Sequence, residues 1–114
     1  MAEANSAARP SWRTVGAVRL AVVIDVTDAT FASAVIERSM SVPVVVDLWA
    51  EWCGPCKVLG PILEKVVNET SGAVELAKVD VDANPQVAEA FKVQSIPAVF
   101  AIHEGKIVDT FVGA

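Results

Sequence analysis

Residues 42–50 form an apolar run that only Asp47 interrupts, and this run limits the fold more than any other part of the chain. Side chains of a strand alternate between two faces, so a run that is apolar at nearly every position predicts a strand buried on both faces. Such a strand is typical of a parallel sheet covered by helices on both sides. With 114 residues, 54% of them hydrophobic, the chain is long enough to bury this core as one domain.

The run is followed by the only two cysteines of the chain, Cys53 and Cys56, which are separated by Gly54 and Pro55. Because an amphipathic pattern comes next, the spacing predicts that both sulfurs lie at the N-terminus of a helix. Backbone N–H groups and the helix dipole stabilise a thiolate there, and residues three apart are close enough to form a disulfide. We interpret the pair as a redox-active dithiol.

Three alternatives to a redox pair have less support. A structural disulfide of this spacing closes so short a loop that it stabilises the fold little. A structural zinc site needs four ligands, whereas the two cysteines and His103 supply three, so we expect no metal. Two idle surface thiols are the third alternative, but a lone Cys-x-x-Cys pair in a reducing compartment favours catalysis or redox sensing.

Asp47 is the second informative residue, because an ionised carboxylate is costly within a buried apolar run. We expect its pKa to be raised and the group to exchange protons near neutral pH. The alternative is an aspartate that faces a solvent gap at the end of the strand. Lys78 lies in the middle of another predicted strand, residues 74–81, where an ammonium needs a carboxylate or a route to water.

The predicted elements follow the order β α β α β α β β. We expect residues 1–16 to form a flexible N-terminal extension and residues 17–114 to form one domain that begins with a strand at 17–25. Helical crossovers make the leading strands parallel, and a closing hairpin adds antiparallel strands. The fold class is therefore α/β, with a mixed central sheet flanked by helices on both faces.

Three polar residues are predicted to act at element ends. Thr27 or Asp28 is the candidate N-cap of the first helix, and Asn84 is the candidate N-cap of the third. His103 falls in the turn predicted between the last two strands, and we expect it to be solvated rather than catalytic.

Charge and hydropathy argue against several functional classes. The net charge is −5 and the arginines among residues 1–20 are scattered, so no nucleic-acid-binding surface is indicated. No uncharged stretch reaches 18 residues, and we expect neither a membrane-spanning helix nor a targeting signal. These features lead us to expect a cytoplasmic protein without nucleic-acid or membrane partners.

From about residue 22 to the end, the sequence resembles the thioredoxin family. The resemblance lies in segments that occur in family order: residues 44–57 with Cys-Gly-Pro-Cys, Pro61, residues 77–82, Asn84-Pro85, Ile96-Pro97 and residues 112–114.

This resemblance implies the thioredoxin fold and a thiol-disulfide oxidoreductase that uses no cofactor beyond its own redox-active disulfide. It implies that Cys53 is the attacking thiolate, Cys56 the resolving thiol, Asp47 a buried proton acceptor acting through water, and Lys78 its charged neighbour. The partners would be a thioredoxin reductase and disulfide-containing protein substrates. We expect substrates to dock on an apolar patch with available backbone groups: Trp52, Gly54, Pro55, Val81, Ser95, Ile96, Pro97 and Gly113.

The sequence also departs from the family pattern. Ser95 stands where Gly is common and Ala98 where Thr is common, which predicts an altered substrate preference. The sequence ends at Gly113-Ala114, where thioredoxins continue into a final helix, so we expect this helix to be absent and one sheet face to be partly uncovered. Two functions follow as hypotheses: a protein-disulfide reductase, or a thioredoxin-like client-binding domain of a larger co-chaperone or adaptor protein.

Overall fold

The computed structural model describes residues 22–113. Its elements are β1 (Val23–Asp25), α1 (Ala32–Glu37), β2 (Val44–Trp49), α2 (Gly54–Asn68), β3 (Glu75–Asp80), α3 (Pro85–Ala90), β4 (Ala98–His103) and β5 (Lys106–Val112). Helix α1 is wound as a π-helix and continues into a 3₁₀ turn at Arg38–Met40. The predicted order of elements is confirmed. The predicted extension at 1–16 and the first part of the predicted strand at 17–25 lie outside the described residues.

The five strands form one mixed sheet in the order β1-β3-β2-β4-β5. Strands β1, β3 and β2 are parallel, whereas β4 is antiparallel to both β2 and β5. The apolar run therefore forms the central strand, as predicted, with neighbours on both edges and covering elements on both faces.

The larger core lies on the face of the sheet that α1 and α3 cover. Its buried side chains include Val35, Val44, Val46, Leu48, Val79, Val87 and Ile102. Burial of each such side chain contributes about 1.5–3 kcal/mol. Three aromatic rings extend this core: Phe91 meets Phe31 edge to face at 5.6 Å and Phe100 at 4.5 Å between ring centroids. This core fixes the sheet that carries the functional residues.

Helix α2 covers the opposite face, towards which Asp47 and its register partner Lys78 point. The apolar pattern of α2 is only partly buried: Val67 is covered, whereas Val58, Ile62 and Val66 are exposed. Strand β5 is exposed along its whole length, and no helix follows it within the described residues. The part of the fold that is described thus has uncovered apolar surface on β5, as expected, and also on α2, which the sequence did not predict.

Hydrogen bonds near α1 and α3 correct the predicted caps. Thr27 and Thr30 are bonded reciprocally, since each backbone N–H donates to the other hydroxyl, at 2.9 and 3.3 Å. Asp28 caps α3 rather than α1, since its Oδ1 accepts from the N–H of Val87 at 2.9 Å. The Asn84 side chain does not cap α3, and its Oδ1 accepts instead from the N–H of Asp28 at 2.9 Å. Asn84 occupies the N-cap position of α3, as predicted, but its side chain makes no capping hydrogen bond, because the charged carboxylate of Asp28, a stronger acceptor, lies against the start of the helix.

His103 is not the solvated turn residue that the sequence predicted. It is the last residue of β4, is half-buried and pairs with Lys106. The turn consists of Glu104 and Gly105, whose φ angles are 53° and 77°. Two consecutive positive φ angles are typical of the two-residue hairpin turn that matches strand twist. Because that turn needs only two residues, the ladder continues through His103.

Within residues 22–113, no helix combines the length and the apolar character that crossing a bilayer requires.

Candidate active site

The two cysteines lie where the central strand β2 leads into α2. Cys53 is the N-cap residue of the helix, and Cys56 lies in its first turn. They form a disulfide, and their Cα atoms are 5.3 Å apart. The N–H of Cys56 donates to the Sγ of Cys53 at 3.2 Å. The predicted position of both sulfurs at a helix N-terminus is therefore confirmed.

This position gives the Cys53 sulfur a distinct chemistry. A thiolate formed there on reduction is stabilised by the N–H of Cys56 and by the positive end of the helix dipole. Both cysteines are nearly buried, with 4% of each exposed, and Trp49, Val81 and Ile96 pack against them. Because so little of either cysteine is exposed, the sulfur of a substrate must come close to the small exposed part of the disulfide.

Asp47 lies on β2 with 1% of its surface exposed, as predicted. Burial raises the pKa of its carboxyl to about 6; the nearby Lys78 opposes this effect, whereas Glu64 adds to it. Its Oδ2 has no hydrogen-bond partner among the described residues. The group can therefore gain or lose a proton close to neutral pH.

Lys78 and Asp47 are register partners in the parallel β3–β2 ladder, so both point to the same face of the sheet. The Lys78 ammonium nevertheless donates to Oε2 of Glu64 on α2, at 2.5 Å. This contact explains how an ammonium is accommodated in the middle of a strand.

Sequence reasoning missed Glu64. The signal was present, because Cys56, Gly60 and Glu64 recur at intervals of four residues and therefore share one face of α2. What the pattern could not indicate is which strand residue this face would meet.

An open cleft of about 420 Å³ connects the disulfide with the buried carboxyl, and Cys56 and Asp47 both line it. Gly60 keeps the cleft open: a Cβ at this position would lie 3.4 Å from Nζ of Lys78 and 4.0 Å from Oδ2 of Asp47. At the rim, Lys57 and Glu51 form an exposed ion pair at 3.9 Å. The cleft thus leads from the exposed rim towards the Asp47 carboxyl, which is itself buried.

The eight predicted substrate-binding residues lie on the disulfide side of the fold. Trp52, Val81, Ser95 and Ile96 line a second cavity of about 230 Å³, together with Ala88, Val93 and Gln94. Gly54 and Pro55 are exposed in the first turn of α2. The Ile96–Pro97 peptide is cis, and the carbonyl of Pro97 accepts from the N–H of Gly113 at 2.8 Å.

Asp82 is a second residue that sequence reasoning missed. Its Oδ2 accepts from the indole Nε1–H of Trp52 at 2.8 Å, although the Trp52 side chain is 70% exposed. This hydrogen bond orients an exposed aromatic ring at the residue that directly precedes Cys53.

Residues 22–113 contain no cluster of three or more histidine, cysteine and carboxylate side chains arranged to hold a metal ion. The zinc alternative required His103 as a ligand. This residue lies at the end of β4 remote from Ala98, which follows Pro97 at the disulfide side.

The sequence model of the thioredoxin family matches residues 22–114. The chain belongs to the thioredoxin family. It is 43% identical over 95 residues to thioredoxin 1 of Synechococcus elongatus, covering 83% of this chain and 87% of that protein. It is 47% identical over 91 residues to thioredoxin of Mycobacterium tuberculosis, covering 80% and 77%.

A further relative is a bifunctional thioredoxin reductase/thioredoxin of Mycobacterium leprae, 41% identical over 114 residues, which cover 98% of this chain and 24% of that protein. As a member of the thioredoxin family, the chain is a thiol-disulfide oxidoreductase that reduces protein disulfides. The alternative of a client-binding domain in a co-chaperone or adaptor is not favoured, because these relatives are thioredoxins and the two cysteines form a disulfide.

Proposed function

We propose that the chain reduces protein disulfides with Cys53 as the attacking thiolate and Cys56 as the resolving thiol. One observation carries this assignment: the N–H of Cys56 donates to the Sγ of Cys53 at the start of α2. A thiolate at that sulfur is stabilised, whereas Cys56 faces the cleft that it shares with Asp47. The two sulfurs therefore have different tasks.

The exchange proceeds in two steps. The Cys53 thiolate attacks one sulfur of the substrate disulfide, which forms a mixed disulfide and releases the other substrate sulfur as a thiolate that takes up a proton. Cys56 then loses its proton and attacks the Cys53 sulfur, which closes the Cys53–Cys56 disulfide and releases the first substrate sulfur. Two electrons pass to the substrate, and the chain ends oxidised.

Asp47 accepts the Cys56 proton in this proposal, through water in the shared cleft. The support is its burial, its raised pKa of about 6 and its position in the same cleft. Proton transfer is most effective for a group whose pKa lies near the working pH. Lys78 acts as the charged neighbour of this carboxyl, because it lowers the pKa that burial raises.

Substrates bind beside the disulfide, on the surface formed by Trp52, Gly54, Pro55, Val81, Ser95, Ile96, Pro97 and Gly113. The support is that Trp52, Gly54, Pro55 and Ser95 are exposed on this side of the fold and that Val81 and Ile96 pack against the cysteines. Pro97 is buried, and its carbonyl is bonded to the N–H of Gly113, so these two residues contribute to the shape of the surface rather than free hydrogen-bonding groups. Such a surface suits an extended peptide segment that carries a disulfide.

A thioredoxin reductase returns electrons to the oxidised chain in this proposal. The Mycobacterium leprae relative, whose name combines both activities, supports this partner. The protein acts in the cytoplasm, where reducing conditions favour catalytic over structural Cys-x-x-Cys pairs. It uses no nucleic-acid or membrane partner and no cofactor beyond its own disulfide.

Reduction of insulin tests the function. The wild-type chain, supplied with a thioredoxin reductase and its electron donor, is expected to reduce insulin, and Cys53→Ser is expected to lose this activity by at least about 10³-fold. Glu37→Gln, which changes an exposed side chain on α1, is the matched control that retains activity. Insulin reduction by Cys53→Ser at the wild-type rate would overturn the assignment.

A further inference from the structure

We propose that Glu64 is a positioning residue: it holds the Lys78 ammonium away from Asp47 and so keeps the carboxyl able to exchange a proton with Cys56. The inference deepens the proposed function and rests on it. It assigns a role in this cleft to a side chain of α2 that takes no part in thiol exchange.

The geometry of the ion pair is the first support. Lys78 and Asp47 are register partners, yet the ammonium is bonded to Oε2 of Glu64, and no ion pair of Asp47 occurs among the described residues. Oδ2 of Asp47 is buried without a partner. Oδ2 of Asp47 is thus an available acceptor beneath α2, but the ammonium of Lys78 is bonded to Glu64 instead.

The space at Gly60 is the second support. A Cβ there would contact Nζ of Lys78 at 3.4 Å and lie 4.0 Å from Oδ2 of Asp47, so both atoms border one gap under the helix. No other side-chain atom lies within 4 Å of that position, and Gly60 lies one turn before Glu64 on α2, so no side chain fills the gap between the ammonium and the Asp47 carboxyl. Glu64 therefore competes with Asp47 for one cation.

Several charged groups lie on the sheet face of Asp47. Strand β3 contributes Lys78 and Asp80, β1 contributes the exposed Asp25 as the register partner of Lys78, helix α2 contributes Glu64 and Lys57, and the segment after β2 contributes Glu51. Among these carboxylates, Glu64 is the one bonded to the Lys78 ammonium. Lys57 and Glu51 are paired with each other at the exposed rim. On its other edge, β2 meets β4, where Val99 is the partner of Asp47 and carries no charge.

Glu64→Gln tests the inference by releasing the ammonium. Loss of the Glu64 charge frees Lys78 to bond Asp47 and also removes a nearby negative charge, so both effects favour the ionised carboxyl. We expect the pKa of Asp47, followed by carboxyl ¹³C NMR in the reduced protein, to fall by about 1. The midpoint of the pH profile for insulin reduction should move to lower pH by a similar amount.

Three variants provide controls. Glu64→Asp keeps the charge and should restore most of the wild-type pKa, whereas Glu37→Gln removes an equal charge from α1 and should leave it unchanged. Lys78→Met should raise the pKa of Asp47, the direction opposite to Glu64→Gln, because burial then acts without a compensating cation. In the Asp47→Asn background, Glu64→Gln should no longer move the pH profile.

The outcomes separate this inference from the proposed function. An unchanged pKa of Asp47 in folded Glu64→Gln, or equal profile shifts with and without Asp47, would overturn the positioning role even if insulin is reduced. The chain could instead fail to reduce insulin while Glu64→Gln lowers the pKa of Asp47 and Lys78→Met raises it. That result would support the positioning role of Glu64 and overturn the proposed reductase mechanism.

Discussion

Asp47 and Cys56 face one cleft from opposite sides, the carboxyl from the central strand and the sulfur from the first turn of α2. A buried carboxyl of raised pKa thus lies next to the resolving thiol of the proposed exchange. The two side chains come together because β2 leads directly into the turn before α2, which then passes back over the sheet face on which Asp47 lies. The proposed proton acceptor and the proposed resolving thiol therefore lie within ten residues of sequence.

Asp47→Asn is expected to stabilise the fold in a pH-dependent way. The pKa of Asp47 is about 6 in the folded chain against an ordinary 3.8, so the folded state binds the proton more tightly than the unfolded state. The wild type therefore loses stability as pH rises from about 4 to 6, by about 3 kcal/mol as an upper value. The free-energy gain of Asp47→Asn should be at least about 1 kcal/mol larger at pH 8 than at pH 4. Urea unfolding at the two pH values measures it.

Asp25→Asn is the matched control, since this aspartate is exposed on β1 and should change the unfolding free energy by less than about 0.5 kcal/mol at both pH values. An equal effect of Asp47→Asn at pH 4 and pH 8 would show that the buried carboxyl is not the titrating group.

Cys56→Ser should trap the reaction halfway. Cys53 can still attack the substrate disulfide, but no second sulfur is present to release the product, so a mixed disulfide accumulates. Non-reducing mass spectrometry of the variant incubated with insulin should show one insulin molecule attached at Cys53 through a mixed disulfide. The same experiment with Cys53→Ser should give no adduct, and adducts of equal yield in both variants would contradict the division of tasks.

Ser39→Ala should destabilise the hairpin of β4 and β5. The Ser39 hydroxyl is buried, donates to the carbonyl of Ile36 at 2.6 Å and accepts from the N–H of Gly105 at 2.9 Å. Loss of the hydroxyl leaves the Gly105 N–H without this acceptor, which costs about 1–3 kcal/mol. Thermal unfolding of Ser39→Ala and of the exposed Ser33→Ala on α1 measures the effect, and equal losses in the two variants would contradict it.

Asp28→Ala should weaken α3 although the residue precedes α1. Its carboxylate accepts from the N–H of Val87 at 2.9 Å and from that of Gln86 at 3.4 Å, so alanine removes the cap and should cost about 1 kcal/mol. Asp28→Asn retains an acceptor oxygen and should lose less. Faster hydrogen exchange in α3 of Asp28→Ala is the expected signature; unchanged exchange there would exclude the capping role.

Features that depend on local pattern were predictable from sequence. The run at 42–50 indicated a buried central strand because its apolar positions do not alternate, and Cys53 and Cys56 indicated a helix start because their spacing precedes an amphipathic segment. Burial of Asp47 followed from its place inside that run. These conclusions need only neighbouring residues, which the sequence contains directly.

Other features were decided by tertiary structure. Glu64 meets Lys78 across 14 residues, Trp52 meets Asp82 across 30, and Asp28 caps a helix 59 residues away. Each contact depends on how helices lie on the sheet and loops lie on helices, which no local pattern specifies. The sequence placed His103 in the turn for a related reason: whether a residue at the end of a strand still belongs to the ladder depends on its cross-strand partner, which is Lys106 here.

The sequence by itself determined the order of elements, the position of the dithiol and the buried carboxyl behind it. Only the tertiary structure decided which charges surround that carboxyl and which acceptors serve the turns and helix ends. The physical reason is range: hydrophobic periodicity and helix-end chemistry act between near neighbours, whereas electrostatic and hydrogen-bond partners are chosen by distance in space after the sheet has formed.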